Sequence, residues 1–167
     1  FIAENEGQIR IFRNGQLEAK PFLDLRGQVA IRPGNGLLSF TFHPRYNETG
    51  WVYVSFVRKP DLAKRVVRYT VSSTDPDQLD PSSAFELVEP IAAPGRQHHG
   101  GSLAFGPDGK LYITSGDGGA PDPSCRAQNF SLLTGKLLRL NDDGSIPSDN
   151  PFIGDEGARD EVFAVGL

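Results

Sequence analysis

His98 and Asp117 are the residues of this chain whose types and spacing best suit proton chemistry. They stand near the two ends of residues 97–119, Q-H-H-G-G-S-L-A-F-G-P-D-G-K-L-Y-I-T-S-G-D-G-G. A carboxylate that holds an imidazole is a recurrent way to build a general base near neutral pH. Glycines flank both partners (Gly100, Gly101, Gly116, Gly118 and Gly119), which leaves room for another group to approach the backbone closely.

Bringing the two together requires a β-hairpin. Residues 102–105 form one short apolar strand and residues 110–114 the next. Gly106-Pro107-Asp108-Gly109 lies between them as the turn, with proline fixing φ and glycine accepting φ > 0. The midpoint of that turn falls between Pro107 and Asp108, and His98 and Asp117 are equally far from it. In an unbulged antiparallel pair, residues equidistant from the turn face each other. The pattern therefore expects imidazole and carboxylate side by side at the open end of the hairpin.

The rest of the chain repeats the same kind of element. Helical periodicity is nearly absent, and short β-rich runs alternate with turn residues. Strands are expected at residues 1–4, 8–12, 37–42, 51–57, 65–71, 85–88, 136–140 and 161–167. Residues 72–84 are expected as a polar loop, and an irregular loop runs from Ala120 to about Leu133. Two internal repeats appear. Gly36-Leu37-Leu38 with Phe42-His43-Pro44 parallels Gly101-Ser102-Leu103 with Phe105-Gly106-Pro107. Ile9-Arg10-Ile11, Val67-Arg68-Tyr69 and Leu138-Arg139-Leu140 look like equivalent outer strands. A unit of roughly 60–70 residues, longer than the usual blade periods, built from four strands with Gly-rich turns, points to an all-β fold, a β-propeller. The chain would hold about two and a half blades.

Composition narrows the function. The 167 residues suffice for one domain with a sizeable core. A net charge of −4 with no basic cluster argues against nucleic acid. No apolar run approaches the ~18 residues of a membrane span. The single cysteine, Cys125, excludes an internal disulfide framework, cannot by itself build a metal site and reads as inert. The chain begins and ends inside apparent strands, so it reads as a domain of residues 1–167 truncated at both ends.

Three segments together resemble the glucose/sorbosone dehydrogenases, the soluble pyrroloquinoline-quinone (PQQ) sugar dehydrogenases. The first is His98-x-Gly100-Gly101-x-Leu103-x-Phe105-Gly106-Pro107-Asp108-Gly109-x-Leu111-Tyr112 with Gly116-Asp117-x-Gly119. The second is Gly36-Leu37-Leu38 with Phe42-His43-Pro44. The third is Gly135-Lys136-Leu137-Leu138-Arg139-Leu140 with Asp143-Gly144-Ser145-Ile146-Pro147-x-Asp149-Asn150-Pro151. Matches run from Phe1 to Leu167 in the family's order and spacing; each motif alone is modest, and three in order are specific.

The resemblance implies a six-bladed propeller with PQQ near its axis. It also implies a histidine, here His98, that takes the proton of the sugar C1 hydroxyl as hydride passes to the quinone. Asp117 matches the aspartate that orients that histidine. Two positions depart from the family. Gln97 stands where the glucose enzyme has an aspartate contacting sugar, which makes Gln97 a candidate substrate residue, and Gly34 replaces an expected glutamine. Both bear on sugar specificity and leave the base in place. The main PQQ contacts and the calcium ligands are expected beyond Leu167, so this chain is expected to contain no metal site and to be inactive alone. The electron acceptor is not readable. Export to the periplasm or outside the cell is implied. The alternative is a non-enzymatic ligand-binding propeller like those relatives that interact with hedgehog ligands, because fold alone does not settle function. His43, before Pro44, reads as structural, His99 as structural or solvent-facing, and Asn141-Asp142-Asp143-Gly144 as a hairpin turn rather than a calcium loop.

Overall fold

The run Trp51–Val57, W-V-Y-V-S-F-V, is apolar on both alternating faces, so a strand made from it must be covered on both sides. The computed structural model, which describes residues 1–93, 97–119 and 125–166, places it between two cores. Val52, Val54 and Phe56 pack with Ile9, Phe22, Leu23 and Leu25 on one side. Tyr53 packs with Leu103, Leu111, Ile113 and Leu138 on the other. Burying one such side chain contributes about 1.5–3 kcal/mol, and these positions are almost wholly buried.

Those cores separate three antiparallel sheets. The first joins β1 (Ile2–Glu4), β2 (Gln8–Arg10) and β5 (Leu23–Asp24) in that order. Between β2 and β5 sits a small hairpin of β3 (Phe12–Arg13) and β4 (Gln16–Leu17), turned by Asn14-Gly15 with both residues at positive φ. The second sheet is a four-stranded meander of β6 (Leu37–Phe42), β7 (Trp51–Val57), β8 (Lys64–Val71) and β9 (Leu79–Glu86). The third repeats that order with β10 (Gly100–Phe105), β11 (Leu111–Ser115), β12 (Lys136–Leu140) and β13 (Val162–Val165). These sheets are blades of a β-propeller, two with four strands and one with three. One helical turn, α1 (Tyr46–Thr49), and a 3₁₀ turn, Arg126–Gln128, complete the described elements.

The first strands of the two four-stranded blades lie against each other. The Leu103 amide donates to Ser39 Oγ at 3.3 Å. A Cβ on Gly101 would come within 2.6 Å of Leu38 Cδ1 and 2.8 Å of Ser55 Oγ, so glycine there permits the close approach. Both first strands carry a bulge near their start, between Leu37 and Ser39 and between Gly100 and Leu103. The internal repeat seen in the sequence is therefore a repeat of three-dimensional structure.

Some sequence expectations need correction. The strand expected at 85–88 is Leu79–Glu86, and it runs through Asp80-Pro81-Ser82, expected as loop. As the outer edge of its blade it tolerates a proline, whose missing N–H would face solvent. The arginine-bearing repeats are third strands rather than outer ones: Arg68 on β8 and Arg139 on β12 have β9 and β13 outside them. Arg10 holds the matching place on β2, inside β5. The expected strand at 161–167 is Val162–Val165, and Leu167 lies outside the described residues. The expected loop from Ala120 contains the 3₁₀ turn, and its residues 120–124 also lie outside the described part.

Candidate active site

The hairpin of β10 and β11 forms as the turn residues require, with a different register from the symmetric one. Gly109 donates to the Gly106 carbonyl at 3.0 Å and takes φ of 73°, and Gly106 donates to the Lys110 carbonyl at 2.9 Å. This is a three-residue loop with glycine in the left-handed position. It sets Phe105 opposite Leu111 and Leu103 opposite Ile113, which centres the hairpin on Asp108. The bulge then shifts the register by one, so that Gly100 faces Ser115. Continued to the open end, the shifted register puts His98 level with Asp117.

The side chains meet there. His98 Nδ1 lies 3.0 Å from Asp117 Oδ1. Backbone bonds continue past the strands, from the Gly116 amide to the His99 carbonyl at 3.2 Å and from the Gly118 amide to the His98 carbonyl at 3.3 Å. His98 itself takes φ of 53°, an uncommon conformation for a side-chain-bearing residue. Gly116 is required beneath it, since a Cβ there would fall 2.0 Å from the His98 carbonyl oxygen.

The electrostatics fix the roles of the pair. The Gly119 amide donates to Asp117 Oδ1 at 3.0 Å. That bond, against the cost of burial and together with His98 and the nearby Arg126 charge, holds the Asp117 carboxyl below its usual range. An ionised carboxylate only accepts, so His98 Nδ1 carries the proton that joins them. Nε2 is then the basic nitrogen. The His98 side chain is 55% exposed, and Nε2 has no protein partner among the described residues. The arrangement leaves an imidazole nitrogen that can accept a proton open to an incoming ligand.

Gln97 is exposed beside it. It lies near Gly34, whose Cβ, if present, would sit 3.7 Å from Gln97 Cβ. The two positions that depart from the family pattern are thus neighbours in space. His43 is buried between the second and third blades, against Tyr53 and Phe105 near the turn end of the hairpin and away from this pair: Nδ1 accepts the Arg45 amide at 3.0 Å and Nε2 lies 3.1 Å from Asp142 Oδ2. Both nitrogens are occupied, in keeping with a structural role. His99 is buried. Residues 141–144 form a turn, with Gly144 donating to the Asn141 carbonyl at 3.0 Å. Among the described residues, no group of three His, Cys, Asp or Glu side chains is placed to hold a metal ion.

Sequence reasoning missed the buried cations that line the back of the site. Arg126, 8% exposed, donates from Nε to the Asp117 carbonyl and from Nη2 to the Gly119 carbonyl, each at 2.8 Å. Lys136, wholly buried, donates from Nζ to the carbonyls of Arg126, Ala127 and Thr134. Lys64 donates to the Thr114 carbonyl at 2.8 Å from the neighbouring blade. A signal was present for Lys136, which alternates in phase with the core residues Leu138 and Leu140 along β12.

Known proteins resemble the chain throughout. The family model described as Glucose / Sorbosone dehydrogenase matches residues 1–167. The Hedgehog-interacting protein of Mus musculus is 40% identical over 188 aligned residues, covering 100% of this chain and 27% of that protein. The aldose sugar dehydrogenase YliI of Escherichia coli is 30% identical over 177 residues, covering 100% of this chain and 46% of that protein. Among solved structures, the PQQ-bound aldose sugar dehydrogenase of Streptomyces coelicolor superposes with a TM-score of 0.73 at 28% identity, covering 94% of this chain and 43% of that one. The chain thus spans between about a quarter and a half of the length of these relatives.

Proposed function

The chain belongs to the glucose/sorbosone dehydrogenase family, and we propose that its protein oxidises an aldose sugar at C1 to the lactone with His98 as general base. The observation that carries this reading is the His98–Asp117 pair, 3.0 Å apart, with Nε2 open to solvent. Nε2 takes the proton of the C1 hydroxyl while the C1 hydride leaves for the cofactor. Asp117 holds the ring in the tautomer that leaves Nε2 unprotonated, then stabilises the imidazolium that forms. Gln97, exposed at the mouth of this site, is the residue we assign to the sugar.

PQQ, the cofactor named for the Streptomyces coelicolor relative, supplies the hydride acceptor when bound. The described residues fit one half of that chemistry. The open Nε2 and the flanking glycines suit a base beneath a flat ligand. Arg126, the cation beside Asp117, turns Nε and Nη2 to the backbone carbonyls of Asp117 and Gly119, and one such cation is not the set that a quinone tricarboxylate calls for. We assign the main contacts to PQQ and calcium to residues other than those described here. An exported location, periplasmic or extracellular, goes with the same reading. No helix among the described residues is long and apolar enough to cross a membrane.

A second reading, a ligand-binding propeller without catalysis, is favoured by the 40% identity to the mouse Hedgehog-interacting protein. One experiment separates them. The protein is incubated with PQQ and calcium and assayed for reduction of an artificial acceptor across a panel of aldoses, wild type beside His98→Ala. Turnover that needs PQQ and collapses in the variant, with PQQ still bound, supports the dehydrogenase. Failure of wild type to bind PQQ or turn over supports the binding propeller.

A further inference from the structure

Asp117 stands at the start of a short segment with little stiffness of its own. Gly118 and Gly119 follow it with φ of 82° and 95°, and glycines carry the largest backbone entropy of any residue. Yet the Gly119 amide must sit over Asp117 Oδ1, at 3.0 Å, for the carboxylate to face His98. Something must hold the segment closed.

Arg126 is placed to do so. Its Nε and Nη2 reach the carbonyls of Asp117 and Gly119, each at 2.8 Å, so one planar guanidinium bridges both ends of the Asp117-Gly118-Gly119 turn. The rigid spacing of donors in a guanidinium suits two acceptors at once, as the single nitrogen of a lysine does not. The backbone that carries this guanidinium is itself anchored. Lys136 Nζ donates to the Arg126 carbonyl at 2.9 Å and the Thr134 carbonyl at 2.6 Å, and the Gly135 amide donates to the Gly116 carbonyl at 2.8 Å. Strand β12 is thereby tied to both ends of the arrangement, Gly116 just before Asp117 and Arg126 just behind it. Arg126 is nearly buried, so water competes poorly for these bonds.

We infer that Arg126 is a positioning residue, whose guanidinium closes the Asp117–Gly119 turn and so sets the Asp117 carboxylate against His98 Nδ1. The consequence for catalysis rests on the general-base reading above; the consequence for the His98 ring does not. With the turn closed, the ring is held as the Nδ1–H tautomer and Nε2 stays basic. With it open, the carboxylate moves off and the ring redistributes between tautomers. The positive charge of Arg126 acts in the same direction by favouring ionised Asp117.

The test reads the ring directly. Ring-nitrogen chemical shifts of His98 are followed by NMR against pH in wild type, Arg126→Lys and Arg126→Gln, with thermal unfolding as the check on folding. Wild type should show the Nδ1–H tautomer above its titration midpoint. Both variants should show a tautomer mixture, the lysine variant included because it keeps the charge and loses the two-pronged contact. Gly119→Ala, strained at its φ of 95°, should give the same mixture with Arg126 intact. In the PQQ- and calcium-loaded protein, with glucose as probe sugar, kcat should fall about ten- to hundredfold with KM little changed. A folded Arg126→Gln or Arg126→Lys protein whose His98 tautomer and titration match wild type overturns the inference. A tautomer shift in a protein that oxidises no sugar even as wild type upholds the positioning role and removes the dehydrogenase reading instead.

Discussion

Lys64 should make the stability of this protein rise with pH in a range where most proteins gain nothing. It begins β8, is 1% exposed, and its amine donates its one described hydrogen bond to the Thr114 carbonyl at 2.8 Å. No carboxylate pairs with it among the described residues, and burial alone pulls the amine from 10.5 down to about 7. In the unfolded chain the amine titrates near its ordinary value, so between pH 7 and 10.5 the unfolded chain binds a proton that the folded one does not. Below pH 7 both states are protonated and the cost of burying the charge is fully present. As pH rises toward 10.5 that cost is relieved at up to about 1.4 kcal/mol per pH unit. The whole effect has a ceiling of roughly 5 kcal/mol, reduced in practice by the bond to Thr114, itself worth about 1 kcal/mol. The perturbation is Lys64→Met, which keeps the packing and removes the amine. Urea unfolding of both proteins at several values from pH 6 to pH 10 gives the difference in stability directly. The variant should be the more stable protein at the acid end. Its advantage should shrink by about 1 kcal/mol per pH unit above neutrality and vanish or reverse at the alkaline end. A constant difference across the range would refute the reasoning, since it would mean that Lys64 keeps the same protonation in both states.

Gly116→Ala should disable the site even if the blade survives. The added Cβ falls 2.0 Å from the His98 carbonyl, and relief requires moving His98 away from Asp117. A destabilisation of roughly 1–3 kcal/mol in thermal unfolding is expected, together with loss of the His98 tautomer preference by NMR. Arg139→Met should cost about 3 kcal/mol, the lower end of the effect of breaking a buried ion pair. Arg139 is nearly buried and bonds Asp108 at 2.9 Å and Asp149 at 2.8 Å, joining the hairpin turn to β12, while both carboxylates can still reach water. Denaturant unfolding of that variant checks the figure; a loss below about 0.5 kcal/mol would mark the ion pairs as a surface contact only.

How much of this was legible in the sequence depended on what each segment buries. The bounds of β6, β7 and β12 match the expectation residue for residue, because unbroken β-rich runs ended by turn residues leave little freedom. Only the end of strand β9 was expected; its first part was hidden, because an edge strand needs few apolar residues and Asp80-Pro81-Ser82 imitates a loop. The juxtaposition of His98 with Asp117 was expected from a symmetric, unbulged hairpin. The turn is in fact centred one half-step later, on Asp108, and the bulge before Leu103 restores the symmetric pairing further out. Two departures cancel, so a correct neighbour followed from an incorrect register. What the carbonyl-binding cations hold was not legible. Arg126, Lys64 and Lys136 look like ordinary surface charges, and only the tertiary fold shows which backbone oxygens surround them. Phase with the core could have flagged Lys136 as buried, though not what it binds.

The measurement that bears most directly on the account is the rate of sugar oxidation by the PQQ- and calcium-loaded protein, for wild type, His98→Ala and Asp117→Asn. With His98 as the base and Asp117 as its holder, His98→Ala should lose activity by orders of magnitude while retaining PQQ. Asp117→Asn, which keeps the shape and removes the charge, should lose about a hundredfold or more, because the ring is no longer held in the productive tautomer and the imidazolium formed in the reaction is no longer stabilised. Activity within a few-fold of wild type in His98→Ala would contradict the assignment of the base, whatever the sugar.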